Sequence, residues 1–255
     1  LVGSDGANGP LNPPPATPVY GRPLVNLTLA VNYHFGELRP YGYRLVHVII
    51  HFVSAMLLWA IMARTLRLAY FANRLDRVAL PLSFTVALVW ALHPLVTETV
   101  VYVTQRTELM MGMFYFGTLY CSLRYWAAER RASRLVYLLL ATVACVSGML
   151  CKEMMASAPA MVLLFERTFI AGTFRRSLAK STWLYVGLAL SFLPAIALFS
   201  FGWRTPGAGF GMGMEPQHWW FTQSAVMFLY LRLALWPWPL VIHYEIPIRE
   251  TVAAA

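Results

Sequence analysis

His93-Pro94-Leu95-Val96-Thr97-Glu98-Thr99-Val100-Val101-Tyr102-Val103-Thr104-Gln105-Arg106-Thr107-Glu108 is a polar, charged stretch wedged between two apolar runs. Neither 79–92 before it nor 109–123 after it holds a charged side chain. The pattern reads as two membrane spans joined at a bilayer surface, where His93, Glu98, Arg106 and Glu108 gather. Ionisable groups at that depth are costly unless they pair or face water, so they usually mark a pathway or a site.

Composition carries the same reading to the whole chain. Apolar residues make up 59% of it and charged residues 12%, where a soluble domain averages about 25% charged. Runs near the roughly 20 apolar residues needed to cross a bilayer recur along the sequence. They predict an all-α polytopic membrane protein of about seven spans: 44–62, 79–94, 109–126, 135–150, 154–170, 183–201 and 219–240. The fifth is the weakest, being short, containing Pro159 and starting beside Lys152 and Glu153. The boundaries follow: 1–43 as an external loop, 44–247 as the helical membrane domain, and 248–255 as a short tail.

Charge orients the spans. Arg64, Arg67, Arg74 and Arg77 lie in the first link, and Arg124, Arg130, Arg131 and Arg134 in the third. Arg167, Arg175, Arg176 and Lys180 lie in the fifth. Twelve of the 20 basic residues thus sit on alternate links, which the positive-inside rule assigns to the cytoplasm. The net charge of +9 is mainly this topology signal. No basic face interleaves with aromatic residues as a nucleic-acid platform would, so no nucleic-acid partner is expected.

By alternation, 1–43, 93–108, Cys151-Lys152-Glu153 and 202–218 share the other side. The cations expected there are Arg22, Arg39, Arg44, Arg106, Lys152 and Arg204. The topology rule gives them no reason to be on that side, which makes them candidates for holding an anion such as phosphate. Cysteine spacing suggests neither a disulfide framework nor a metal site. His47 and His51 are four apart on one helix, but no acidic partner lies nearby in sequence, and no metal is expected. Asn26-Leu27-Thr28 is a glycosylation sequon, meaningful only in a secretory compartment. The excess of Arg over Lys and the abundant Ala suggest a bacterial inner membrane, with the endoplasmic reticulum as the eukaryotic counterpart.

Read in order, the polar islands are Gly21-Arg22-Pro23-Leu24, the 36–51 segment, the 93–108 block and Cys151-Lys152-Glu153-Met154. Tyr230-Leu231-Arg232, Pro237, Leu240 and His243-Tyr244 close the series. It resembles the membrane domain of the transmembrane and tetratricopeptide-repeat O-mannosyltransferase family and its bacterial relatives, over about residues 20–247. The 93–108 block and the Lys-Glu turn are the most specific parts. Gly21 stands where the family has Tyr, Arg44 and His47 where it has His and Asn, Glu108 where it has Asp, and Cys151 where it has Ser.

The resemblance implies a GT-C-like glycosyltransferase core. Such an enzyme moves a mannose-like sugar from a polyprenyl-phosphate donor to a hydroxyl acceptor on the non-cytoplasmic side, with no other cofactor. It implies a longer parent protein, in which the first span and the loop carrying the catalytic base precede Leu1 and tetratricopeptide repeats follow. The catalytic residue is therefore unassigned. Membrane lipid and the lipid-linked sugar are the expected partners. The alternative is a non-catalytic relative serving as a subunit or scaffold of a larger membrane complex.

Sugar transfer from a lipid phosphate needs a base, cations for the leaving phosphate and a dry groove for the tail. Arg22, Arg106 and Lys152 are expected to converge on one external cavity as the cations. His93, Glu98, Glu108 and Glu153 are expected to line it, the carboxylates orienting sugar hydroxyls or pairing with the cations. Each residue also has a purely structural reading. Arg106 and Glu108 can cap the helix near 109, His93-Pro94 can be a capped kink, Lys152 can snorkel, and Arg22 can be solvated.

Overall fold

The computed structural model describes residues 17, 19–200, 216–241 and 244. The Gly- and Pro-rich start before Thr17, the 202–215 loop with Arg204, and the 248–255 tail lie outside the described residues. Among the described residues every regular element is helical. In chain order these are α1 Pro23–Gly36, α2 Pro40–Thr65, α3 Ala79–Ala91, α4 Thr97–Val101, α5 Arg106–Ala127 and α6 Arg131–Met149. There follow α7 Ala158–Glu166, α8 Phe174–Lys180, α9 Thr182–Leu190, α10 Phe192–Ser200 and α11 Pro216–Leu235. Each of the seven apolar runs therefore carries helix.

Three segments, 40–65, 131–149 and 153–171, are long and apolar enough to cross a membrane singly. Two bent pairs, 79–91 with 94–101 at 51° and 174–180 with 182–198 at 85°, bring the number to five by length and composition, against about seven expected. The shortfall has a physical reason in α5. It is long, but it carries Tyr115, Thr118, Tyr120 and Ser122 and packs between α2 and α6, where side chains meet protein instead of lipid. Thr118 and Ser122 are fully buried and turn their hydroxyls to the carbonyls of Phe114 and Thr118 on their own helix. Pro159 costs the fifth run little. It falls in the first turn of α7, where its missing N–H would have no helical partner.

The reading of 1–43 as loop needs correction. Pro23 opens a helix that runs to Gly36, and α2 begins at Pro40, before the expected 44. Val25 and Asn26 of α1 are buried, and Asn26 donates its side-chain amide to the Val19 carbonyl at 3.1 Å. The sequon is thus folded into the structure and its nitrogen is not presented.

The core lies between α5, α6, α7 and α9. Ala141, Cys145 and Met149 of α6 pack with Val162 of α7 and with Leu184 and Leu188 of α9. The Arg-rich links gather at one end of this bundle. Phe71 of the first link lies 6.1 Å from Phe169, and Trp126 at the end of α5 donates to Ser181 at 3.1 Å. The other end collects the start of α1, the 94–106 segment and the break after α6. The alternation of charge read from the sequence is therefore an alternation between two ends of a helical bundle.

Gly187 sets how closely α9 approaches α6. A side-chain carbon there would land against the Thr142 hydroxyl, which donates to the Leu138 carbonyl at 3.0 Å. Gly187→Ala is expected to destabilise the chain by about 1–3 kcal/mol, the usual cost of overpacking. At Gly112 of α5 an added carbon meets nothing within 4 Å. Gly112→Ala should therefore be neutral, or stabilising by up to about 1 kcal/mol through helix propensity. Thermal unfolding of the two variants in detergent checks this, and equal melting temperatures would contradict it.

Candidate functional site

The site is built where three chain breaks meet. The first is the turn before α1. Gly21 takes a left-handed φ of 68°, and Arg22 donates its backbone N–H to Val19 at 3.3 Å, which puts Arg22 at the mouth of α1. The second is the 93–108 stretch. It folds as a short turn Pro94–Val96, then α4, a second turn Val103–Gln105, and the start of α5 at Arg106. The third follows α6, where Cys151 and Lys152 both donate their backbone N–H groups to Gly148 before the turn Glu153–Ser157 begins. Gly148 permits this fold-back: a side-chain carbon there would collide with Met155, 2.5 Å from its sulfur.

Beneath the junction lies a small apolar cluster. Val25 of α1, Ile50 of α2, and Leu109 and Met110 of α5 pack together with Cys151. Above it Lys152 makes an ion pair with Glu108 in the first turn of α5, both side chains half-buried. The acid also suits the positive end of the α5 dipole. Arg22 is near enough that its charge acts on the ammonium. Burial first, and then Arg22, hold Lys152 below the ordinary lysine range, while Glu153 acts in the opposite direction. Arg22, Glu108, Lys152 and Glu153 therefore form one charged cluster drawn from three separate segments.

Arg106 is not part of that cluster, which corrects the expectation that Arg22, Arg106 and Lys152 share one cavity. Its side chain has no exposed surface and turns the other way, toward α1 and α2. The guanidinium donates to Thr28 O at 3.2 Å, Asn32 Oδ1 at 2.6 Å, Tyr43 O at 3.3 Å and His47 Nε2 at 3.0 Å. It also lies 5.5 Å from the Tyr43 ring centre. Four of its five N–H groups are thus met by protein, leaving little for a ligand. The physical reason is local: acceptors on α1, a segment read as loop, supply two of the four bonds of the cage.

His47 completes the cage, and its hydrogen bonds fix its tautomer. Nδ1 lies 3.0 Å from the Val100 carbonyl, which can only accept, so the proton sits on Nδ1 and Nε2 accepts from Arg106. Both ring nitrogens are used, so the His47–His51 pair offers no free ligand edge at His47. His51 donates to Ala91 O at 2.9 Å and stacks on Trp90.

The remaining expected site residues are placed apart. His93 caps the 94–96 turn, its Nδ1 accepting from Leu95 N at 3.2 Å, and Nε2 reaches Ala234 O of α11 at 3.1 Å. This is the capped kink of the structural reading, with a docking role for α11 added. Glu98 is exposed on α4, 3.5 Å from the Gln105 amide. Asn32 and Glu166 were not singled out from the sequence. Glu166 is fully buried at the opposite end of the bundle and accepts from the hydroxyls of Ser181, at 2.7 Å, and Tyr185. An acid at the end of an apolar run was the signal available for it.

The chain shows similarity to curated proteins named as O-mannosyl-transferases. It is 28% identical to Protein O-mannosyl-transferase Tmtc3 of Drosophila melanogaster, over 57% of this chain and 17% of that protein. It is 26% identical to mouse Protein O-mannosyl-transferase TMTC2, over 76% of this chain and 22% of that protein. With human Protein O-mannosyl-transferase TMTC4 the identity is 30%, over 52% of this chain and 19% of that protein. The chain spans between 13% and 22% of the length of the curated relatives it matches. No protein-family model matches the chain, and no solved structure does. The chain is a distant relative of these transferases across part of its length.

Arg106→Lys is expected to destabilise the chain by roughly 2–4 kcal/mol, because an ammonium cannot reach four acceptors set around a planar fork. Arg130→Ala, at an exposed position before α6, should stay within about 0.5 kcal/mol of the parent. Denaturant unfolding in micelles reports both; an unchanged Arg106→Lys midpoint would remove the clamp.

Proposed function

We propose that the chain is the membrane part of a glycosyltransferase. In this reading the Arg22–Glu108–Lys152–Glu153 cluster receives the phosphate of a polyprenyl-phosphate-linked sugar on the non-cytoplasmic side. The observation that carries the reading is the charged junction itself. Two cations from separate segments stand together, half-buried, above an apolar cluster at the end of the bundle away from the Arg-rich links. The partial similarity to named O-mannosyl-transferases supports mannose as the sugar.

The charge balance of the reaction suits such a site. A polyprenyl phosphosugar is a phosphodiester with one negative charge. Transfer leaves a phosphate monoester with up to two. Cations placed at that phosphate stabilise the developing charge more than the ground state, which is what lowers a barrier. In this mechanism Lys152 is the mobile cation. It is released from Glu108 toward the incoming phosphate, and Arg22 supplies the second positive charge. Glu153 is exposed and accepts from a sugar hydroxyl, while Glu98 stands apart on α4 and takes no part. Arg106 contributes as a positioning residue, holding the start of α5 and therefore Glu108. The base that removes the acceptor proton is assigned to none of these residues.

Lys152→Ala in the parent protein is expected to lower kcat/KM by about 10²–10³-fold, the range for removing one donor from a developing oxyanion. Arg130→Ala should leave it unchanged. The pH dependence has a definite sign. The lysine must be charged to act, and burial and Arg22 hold it below the ordinary lysine range, so activity should fall with rising pH before an ordinary lysine would titrate. Lys152→Arg should move that alkaline limb upward, since a guanidinium keeps its charge. Transfer of labelled mannose from a synthetic polyprenyl-phosphate donor measures all of this. Full activity of Lys152→Ala would remove the phosphate site. A parent protein that transfers to no acceptor and purifies bound to a larger complex would favour the scaffold role.

A further inference from the structure

We propose that the end of the bundle opposite Lys152 holds a site for an anionic diacyl glycerophospholipid, seated between α2, α3 and α5 with its phosphate on Arg64 and Arg67. The inference is independent of the transfer reading. A groove of about 370 Å³ opens there, lined by Trp59, Ala63, Arg64, Arg67, Leu80 and Leu123, among others. That volume is at the small end of ligand sites, enough for a headgroup and glycerol with the acyl chains continuing outside.

The groove is amphiphilic in the order a phospholipid requires. Its floor is apolar: Leu123 and Ala63 are buried, and Leu80 of α3 presents an open apolar wall. Its rim is cationic. Arg64 and Arg67, three residues apart in and just beyond the last turn of α2, share one side of the helix and are both exposed. Among the described residues neither is in an ion pair with a carboxylate. Arg64 is oriented by the Tyr120 ring, 5.5 Å away. A free anion would need only the rim; the larger apolar floor selects an anion that brings hydrocarbon with it.

A second, independent observation comes from Trp59. Its indole nitrogen is buried and, among the described residues, has no hydrogen-bond partner. A buried N–H without an acceptor is costly and rare, so it calls for an explanation. The ring lies edge-on to Phe84, with the ring centres 6.4 Å apart. An acyl ester carbonyl, one glycerol unit below the phosphate, is the acceptor a phospholipid would supply. Basic pockets between membrane helices are known headgroup sites.

Native mass spectrometry of the chain in detergent tests this, with dioleoylphosphatidylglycerol and dioleoylphosphatidylcholine as probes. The expected result is one retained phosphatidylglycerol per chain, preferred over phosphatidylcholine by about tenfold or more for two cations. Excess inorganic phosphate should not displace it. Arg64→Gln with Arg67→Gln should abolish the preference, whereas Arg74→Gln with Arg77→Gln, on the same link outside the groove, should retain it. Trp59→Phe should weaken retention of both lipids and leave the preference between them. Should the Arg64 change disturb folding through Tyr120, exposed Arg67→Gln alone still has to reduce the preference. Equal retention of the two lipids, displacement by phosphate, or equal loss in both double variants would overturn the proposal.

Discussion

A guanidinium with no exposed surface must have its donors met by protein, and at Arg106 that requirement ties together the polar end of the bundle. Its acceptors come from α1 and α2, and its neighbour His47 reaches on to the Val100 carbonyl of α4. Four helices, α1, α2, α4 and α5, are thereby tied together by two side chains, Arg106 and His47. The start of α5 is fixed by the same bonds, and with it Glu108 two residues later, to which Lys152 is paired. The charged cluster above the junction is therefore positioned by a buried network that a ligand need not touch. An unmet buried charge would be far costlier than an unmet surface one, which makes the arrangement close to all-or-none.

The sequence disclosed the broad architecture because its signals were of the kind that survive without tertiary context. Apolar runs and Arg-rich links report solvent preference directly, and each of the seven runs carries helix among the described residues, with the links gathered at one end. Direction was harder. Arg106 and Glu108 sit two residues apart on one helical turn and point to different neighbours. Spacing alone cannot say which of them faces a cavity and which faces a helix. The helix at 23–36 was hidden because Pro23, Gly36 and the Gly- and Pro-rich start read as loop chemistry, while Pro at the first turn equally opens a helix. With α1 unseen, the acceptors Thr28 and Asn32 were unseen too. His93 shows the converse case: its capped-kink reading was available from the dipeptide His93-Pro94, and only its bond to Ala234 required the fold.

The two ends of the bundle treat charge differently. At one end a lysine and an acid neutralise each other beside an arginine above a dry cluster. At the other, arginines stand over aromatic rings: Arg64 over Tyr120, Arg124 over Tyr137 and Arg134 over Tyr125. Ring faces hold a cation in place without cancelling its charge. The positive potential on that side is thus retained and ordered, while acids such as Glu166 are withdrawn into hydroxyl bonds inside the protein.

Every acceptor that surrounds the Arg106 side chain lies earlier in the chain than Arg106 itself. Thr28, Asn32, Tyr43 and His47 have all been synthesised before it emerges, because a chain is made from its N-terminus. The arginine can therefore exchange water for its cage as α5 enters, without waiting for later spans. Glu108 differs: its partner Lys152 arrives only after α6 has followed. At this end of the bundle the order of the residues along the chain thus matches an order of assembly, with the buried Arg106 satisfied before the half-buried Glu108.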